Sequence, residues 1–148
     1  MRIVRAELKH LHVLAPLFDE YRRFMGHQSD PQKGIAYLRD RLARNESIAF
    51  MAFLPKQQKS SGFIQMYPSF SSLSLKKHWV VNDLYVLSEY RNNDVGTTLI
   101  KAAEDHARAT MSGGLLLEID TDNEPAQRFF EKQGFSRDSG LYDYYLNF

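Results

Sequence analysis

The stretch VVNDLYVLSEYRNNDVGTTLI, residues 80–100, decides the fold because its periodicity changes along its length. Residues 80–86 are β-branched, aromatic and aliphatic around a polar pair, Asn82-Asp83, and read as a strand. A short polar loop follows. From Gly96 to Ala109 the apolar residues Leu99, Ile100, Ala103 and Ala107 recur on one side of a helix. Such a junction presents backbone N–H groups at a helix N-terminus, where anionic oxygens are favoured by direct donors and by the helix dipole. Arg91 adds charge at the loop's entry, Gly96 permits close approach, and Thr97 and Thr98 bring hydroxyls. Neither GxGxxG nor GxxxxGK[ST] is present, which excludes the dinucleotide fingerprint and the Walker loop. On these residues alone, Asn92-Asn93-Asp94 acting simply as a helix cap stays open.

Working outward, residues 1–6 read as a first strand, and Leu11, Leu14, Phe18 and Tyr21 place a helix over 8–25, ended by Gly26. Asp30-Pro31 has the form of a cap with Pro in the first turn, opening a second helix to about Asn45. Residues 48–54 and 62–67 read as hairpin strands around a polar turn, and 68–75, PSFSSLSL, as a loop. Downstream of Gly113-Gly114, residues 115–119 form a nearly continuous apolar run, as in a strand covered on both faces. A helix follows over 123–133, with Pro125 in its first turn and Gly134 as terminator, and residues 142–148 read as a last strand. The order β-α-α-β-β-β-α-β-α-β points to the α/β class: one domain over residues 1–148, a mixed central sheet flanked by helices.

Composition narrows the function. The chain has 148 residues, 43% of them hydrophobic, which supports a packed core rather than disorder. Nineteen Lys and Arg against 18 Asp and Glu argue against a nucleic-acid footprint, without excluding a local basic pocket for an anion. With no cysteine there is no disulfide, thiolate nucleophile or zinc-thiolate site, and no histidine pair has HExxH spacing, so no metal is expected. The polar, alternating N-terminus does not read as a signal peptide, and no apolar run approaches the roughly 18 residues of a membrane span. The expectation is a soluble, cytoplasmic protein with neither nucleic acid nor membrane as partner.

Two segments, in order, carry a family resemblance. Arg91-Asn92-Asn93-Asp94-Val95-Gly96 is similar to the [Q/R]-x-x-G-x-[G/A] signature of the Gcn5-related N-acetyltransferase superfamily, with Leu84-Tyr85-Val86 before it. Residues 123–135, NEPAQRFFEKQGF, resemble that family's N-x-x-A-x-x-[F/L]-Y-x-x-x-G-[F/Y] pattern. The resemblance spans nearly the whole chain. It implies acetyl-coenzyme A, with the pyrophosphate on the backbone of Asn92, Asn93, Asp94, Val95, Gly96 and Thr97 beside Arg91. It implies that the pantetheine arm runs along Leu84, Tyr85 and Val86, in a slot where strands four and five splay. Asn123, Ala126, Phe129 and Phe130 match further positions near the cofactor. Two departures stand out. Asp94 replaces the motif's first Gly, and Phe130 stands where the family often has a Tyr able to protonate the leaving thiolate.

Acetyl transfer to an amine needs a neutral nucleophile, a donor for the carbonyl oxygen and alignment of the two reactants. Asp83 and Glu118 are the strand-borne carboxylates available as base; Asn82, as an amide, is not one. By strict alternation Asn82 and Asp83 face opposite sides of the strand. Tyr144, on the last strand, is the candidate to replace the hydroxyl missing at Phe130. The backbone N–H of Leu84 or Val86 is the expected carbonyl donor. Tyr21, Phe24, Tyr67 and Phe70, with Asn82, are the expected acceptor walls, because aromatic faces attract ammonium groups; Asp19 and Glu20 add to that attraction. The expected function is acetyl transfer to a small-molecule primary amine: a polyamine, an amino acid or an amino sugar. The phrasing of the chain most resembles small-molecule, polyamine-like enzymes. The alternatives are a protein or peptide N-acetyltransferase and a non-catalytic acyl-coenzyme A-binding module. A homodimer is expected, by edge pairing of the last strand.

Overall fold

The computed structural model describes residues 1–138 and 140–148. Two compact units divide the chain, residues 1–118 and 119–148. The first is built on a five-stranded sheet in the order β1 (Arg2–Arg5), β2 (Ile48–Phe53), β3 (Gly62–Ser71), β4 (Lys76–Val86), β5 (Leu115–Leu116). Neighbours are antiparallel except β4 and β5, which are parallel, so the sheet is mixed as expected.

Helices α1 (Leu11–Phe24) and α2 (Pro31–Ala43) cover one face. Leu14, Leu17, Phe18 and Leu38 close over Met51, Phe63 and Tyr85 there. Helix α3 (Val95–Ala109) covers the other face with Leu99, Ile100, Ala103 and Ala107 buried. Cover on both sides explains why β2, IAFMAF, is apolar at every position. The helix punctuation is as the sequence indicates. Asp30 accepts from the Lys33 backbone N–H at 3.1 Å, and Gly26 follows α1 at φ +90°.

Two expectations about the sheet are corrected. Residues 68–71 are strand rather than loop: β3 and β4 pair as a long arm from Pro68↔Trp79 to Ser71↔Lys76. Pro68 is tolerated because β2 pairs with β3 only as far as Met66, so the missing N–H lies on an unpaired edge. The expected fifth strand over 115–119 shrinks to two residues, paired as Trp79↔Leu115 and Val80↔Leu116. Beyond Val80, β4 runs on to Val86 with no strand on that side among the described residues, which is the expected splay.

A bulge gives the splay a physical cause. The β3–β4 register passes from Met66↔Val81 to Gln65↔Asp83, leaving Asn82 as an extra residue on β4. Bulges bend a strand and increase its twist, so β4 turns away from β5 just after the last paired residue.

The second unit contains α4 (Glu124–Lys132). Asn123 caps it, accepting from the Ala126 backbone N–H at 3.3 Å, and Gly134 ends it at φ +98°. Phe130 stacks edge-on against Phe129 and Phe135. The last strand expected over 142–148 is absent: these residues form no ladder, and Tyr142, Tyr144 and Tyr145 are exposed. Their composition suits a strand, but a strand needs an edge to pair with. None of the described helices is long and apolar enough to cross a membrane.

Candidate active site

The bulge decides which side chains reach the site. Without it, Trp79, Val81, Asp83 and Tyr85 would share a face. With it, Trp79 points to α3, donating from Nε1 to Thr110 Oγ1 at 2.9 Å, while Tyr85 packs on Tyr21 of α1 with ring centroids 5.9 Å apart. Asp83 shares the Tyr85 face, as read from the sequence. The expectation that Asn82 points away from Asp83 is corrected: both line one cavity of about 340 Å³ between α1, α2 and the β3–β4 pair. Phe18, Tyr21, Tyr37 and Tyr67 form its aromatic walls.

Asp83 is 6% exposed, and burial pushes its carboxyl above the ordinary carboxylate range. Two donors oppose that shift. Gln65 Nε2 donates to Asp83 Oδ2 at 2.7 Å, and the Tyr21 hydroxyl donates to the same carboxylate. Gln65 is held in turn by Ser47, whose hydroxyl donates to Gln65 Oε1 at 2.9 Å. Burial, together with the adjacent carboxylate, pushes the Tyr21 hydroxyl far above its ordinary value, so it stays a donor. The Tyr37 and Tyr67 hydroxyls share a hydrogen bond of 2.6 Å across the cavity wall. A desolvated carboxylate, oriented by two donors and open to a cavity, is equipped to take a proton from a bound ligand.

Of the expected acceptor walls, Tyr21, Tyr67 and Asn82 line the cavity. Phe70 does not: it lies out on the β3–β4 arm and is exposed. Phe24 is likewise outside, with its ring 5.5 Å from Tyr85 and the Arg91 guanidinium 5.1 Å from its centroid. Asp19 is not available to a ligand, since it accepts from Ser29 Oγ at 2.6 Å and from the Asp30 N–H at 2.9 Å. The Ser29 hydrogen bond is the main reason its carboxyl is held below the ordinary range. Glu118 is exposed and follows the end of β5, outside the cavity. Tyr144 belongs to the second unit and is exposed. Gln65, Ser47 and Tyr37 were missed. Gln65 carried the same signal as Asp83, a polar residue inside an apolar strand, GFIQMY.

The loop before α3 is arranged for an anion. Asn92 and Asp94 both adopt left-handed backbone, φ +63° and φ +58°. Asp94 is the N-cap, yet its side chain makes no cap hydrogen bond and is exposed; its carbonyl accepts from the Thr98 N–H and hydroxyl. The exposed carboxylate settles how Asp is accommodated where the motif has Gly. Asn93 braces the turn, donating to the Tyr90 and Arg91 carbonyls, and Arg91 Nε donates to the Val86 carbonyl at 3.1 Å. The first N–H groups of α3 therefore receive no side-chain cap from Asp94, and they lie at the end of the open edge of β4. That pair fits a ligand with a diphosphate and a chain of amides: the helix end and Arg91 suit the first, and Leu84 to Val86 the second. Asn123, Ala126, Phe129 and Phe130 lie on or beside α4, in the second unit.

Comparison with known proteins accords with this arrangement. Residues 14–135 match the model of the Acetyltransferase (GNAT) family. The chain is 35% identical over 147 residues to the uncharacterized N-acetyltransferase YhfO of Bacillus subtilis, covering 99% of this chain and 97% of that one. It is 39% identical over 64 residues to N-alpha-acetyltransferase 30 of Schizosaccharomyces pombe, a match covering 43% of each. It superimposes on the crystal structure of a probable acetyltransferase with a TM-score of 0.94 and 42% identity, over 100% of this chain and 98% of the other. With an oriented carboxylate below a cavity, an open strand edge and an anion-ready helix end in one unit, and with the family model spanning most of its length, the chain belongs to the GNAT family of acetyltransferases.

Proposed function

We propose that this protein transfers the acetyl group of acetyl-coenzyme A directly to a small primary amine. The observation that carries the reading is Asp83, a buried carboxylate opening onto a cavity of about 340 Å³, near the lower end of the usual ligand-pocket range of about 300–1,000 Å³. Acetyl-coenzyme A supplies an acyl group activated as a thioester. The chain's own residues do the rest. Backbone N–H groups at the start of α3, with Arg91, hold the diphosphate. The backbone of Leu84, Tyr85 and Val86 takes the pantetheine amides, and a backbone N–H of Leu84 or Val86 donates to the acyl oxygen. Asp83 takes the proton of the incoming ammonium, directly or through one water, and its raised pKa brings it closer to the amine's basicity. Gln65 and Tyr21 hold the carboxylate in place, while Asn82 and Tyr67 confine the acceptor. Because a thiol has a pKa of about 8.5, the sulfur can leave as thiolate and no acid is required at Phe130.

The partial match to N-alpha-acetyltransferase 30 favours a second reading, in which the acceptor is a peptide N-terminus. Thiol release from acetyl-coenzyme A, measured with free amino acids, amino sugars, polyamines and short peptides, separates the two. Turnover of small amines well above that of peptides is the expected result. Turnover confined to peptides establishes the second reading, and no thiol release with any amine overturns both.

A further inference from the structure

The charge around the cavity is lopsided. Among the described residues lining it, Asp83 is the one carboxylate, whereas Arg22, His27 and Lys33 are all basic. Arg22 comes from the last turn of α1, His27 from the α1–α2 corner and Lys33 from the first turn of α2. Among the described residues, neither Arg22 nor Lys33 is held in an ion pair closer than 3.8 Å. The Arg22 guanidinium donates to a neutral acceptor, the Gln28 carbonyl, at a long 3.4 Å. The Lys33 ammonium stands 3.8 Å from Asp30, whose other oxygen is engaged in capping α2. Asp19, three residues before Arg22 and in electrostatic contact with it, already accepts from Ser29 and the Asp30 N–H.

A polyamine needs at least two sites of negative potential, one for the reacting nitrogen and one for the distal ammonium. This cavity supplies one, and the second would lie among cations. Like charges brought together there repel, chiefly at Arg22, because the Lys33 side chain is 88% exposed and screened by solvent. A ligand with its amine at Asp83 and an anion at Arg22 and Lys33 satisfies both ends, with Phe18, Tyr21, Tyr37 and Tyr67 enclosing the carbon skeleton between them. Arg also offers a planar fork matched to carboxylate and phosphate oxygens.

Resting on the acetyl-transfer reading above, we infer that the acceptor is a small primary amine that carries an anionic group, a carboxylate or a phosphate, held by Arg22 and Lys33 while its nitrogen meets Asp83. The polyamine is thereby disfavoured. In the transfer the amine nitrogen bonds to the acetyl carbon as the carbon–sulfur bond breaks. The ammonium gives its first proton to Asp83 before attack, the nitrogen loses its second to solvent as the amide forms, and the sulfur departs with its electron pair.

The test is kcat/KM for matched acceptors on the full chain, read by thiol release: an amino acid, its carboxamide, an aminoalkyl phosphate, spermidine and a tripeptide. The expected result is at least a tenfold preference for one of the anionic amines over the carboxamide and spermidine. In R22Q and K33Q the acid-to-carboxamide ratio should fall toward one, chiefly through the KM of the acid. The ranking of carboxylate against phosphate identifies which anion is used. Spermidine, the carboxamide or the tripeptide turning over as well as the anionic amines overturns the inference and leaves acetyl transfer standing. So does an acid-to-carboxamide ratio that neither variant changes. No thiol release with any acceptor, from a chain that calorimetry shows to bind acetyl-coenzyme A, overturns the transfer reading and the inference together.

Discussion

At residue scale, Asp83 trades stability for reactivity. Its carboxyl titrates above the ordinary range in the folded chain because it is buried. Between the two pKa values the folded chain therefore holds more protons than the unfolded one, and above that window the ionised group opposes folding. Asp83→Asn removes the charge and keeps an oxygen to accept from Gln65. The expected outcome is a higher thermal midpoint at neutral pH together with turnover lowered by about 10²–10⁴-fold, the usual worth of a general base. Acetyl-coenzyme A affinity should change little. In the wild-type chain the ascending limb of kcat/KM against pH should lie above the usual carboxylate range. Asp94 is the second telling residue. It holds φ +58° as the N-cap of α3 without a side-chain cap hydrogen bond, a backbone position glycine occupies more easily. Asp94→Gly removes both that cost and a negative charge at the proposed diphosphate site. Calorimetry should show acetyl-coenzyme A binding more tightly, by several-fold.

At element scale, the decisive device is the extra residue in β4. Deleting Asn82 leaves the register Met66↔Val81 and Gln65↔Asp83 as an unbroken ladder, with Trp79 and Val81 still on one face and Asp83 and Tyr85 on the other, but it removes the bend that opens the edge of β4. A cooperative melt is expected to survive in circular dichroism, while calorimetry shows weaker acetyl-coenzyme A binding because the splay closes. Much of the scaffold was legible because helices announce themselves at their ends: Asp30-Pro31, Gly26, Asn123 and Gly134 each act where their chemistry indicates. Asp83 was legible as a polar group out of place in its strand, and Tyr21 and Tyr67 as aromatic faces suited to an ammonium group. The orientation of Asn82 was not, because period-two reasoning assumes an unbroken ladder and a bulge leaves no distinctive residue. Serines and Pro68 hid the β3–β4 arm, since strand propensity reports fit to a buried pleat and this arm extends beyond β2. The cationic corner carrying Arg22, His27 and Lys33 arises from two helices meeting, and spacing along the chain does not reveal it.

At the scale of the whole molecule, His106 sets an acid limit on the fold. It lies between Phe50 of β2 and Trp79 of β4, and among the described residues its Nε2 has no hydrogen-bond partner. Burial, then the nearby Arg5 and Lys77, hold its pKa below 6.5. The unfolded chain thus takes up a proton that the folded chain refuses, and stability falls as pH drops below about 6.5. Urea midpoints measured from about pH 7.5 to about pH 5.5 should decline, and His106→Phe should flatten that decline. Finally, a sheet whose fourth strand lacks a neighbour past Val80 is a sheet with a missing rung. On the proposed reading, the acyl donor supplies that rung through its amide chain. Amide protons of Leu84 and Val86 should then exchange slowly only when the donor is present. At a hundredfold excess over Kd the loaded form gains about 2.7 kcal/mol, so the donor would act as a removable structural member as well as a reactant. A cell short of coenzyme A, whose amide chain makes the rung, would hold this protein in its least durable form.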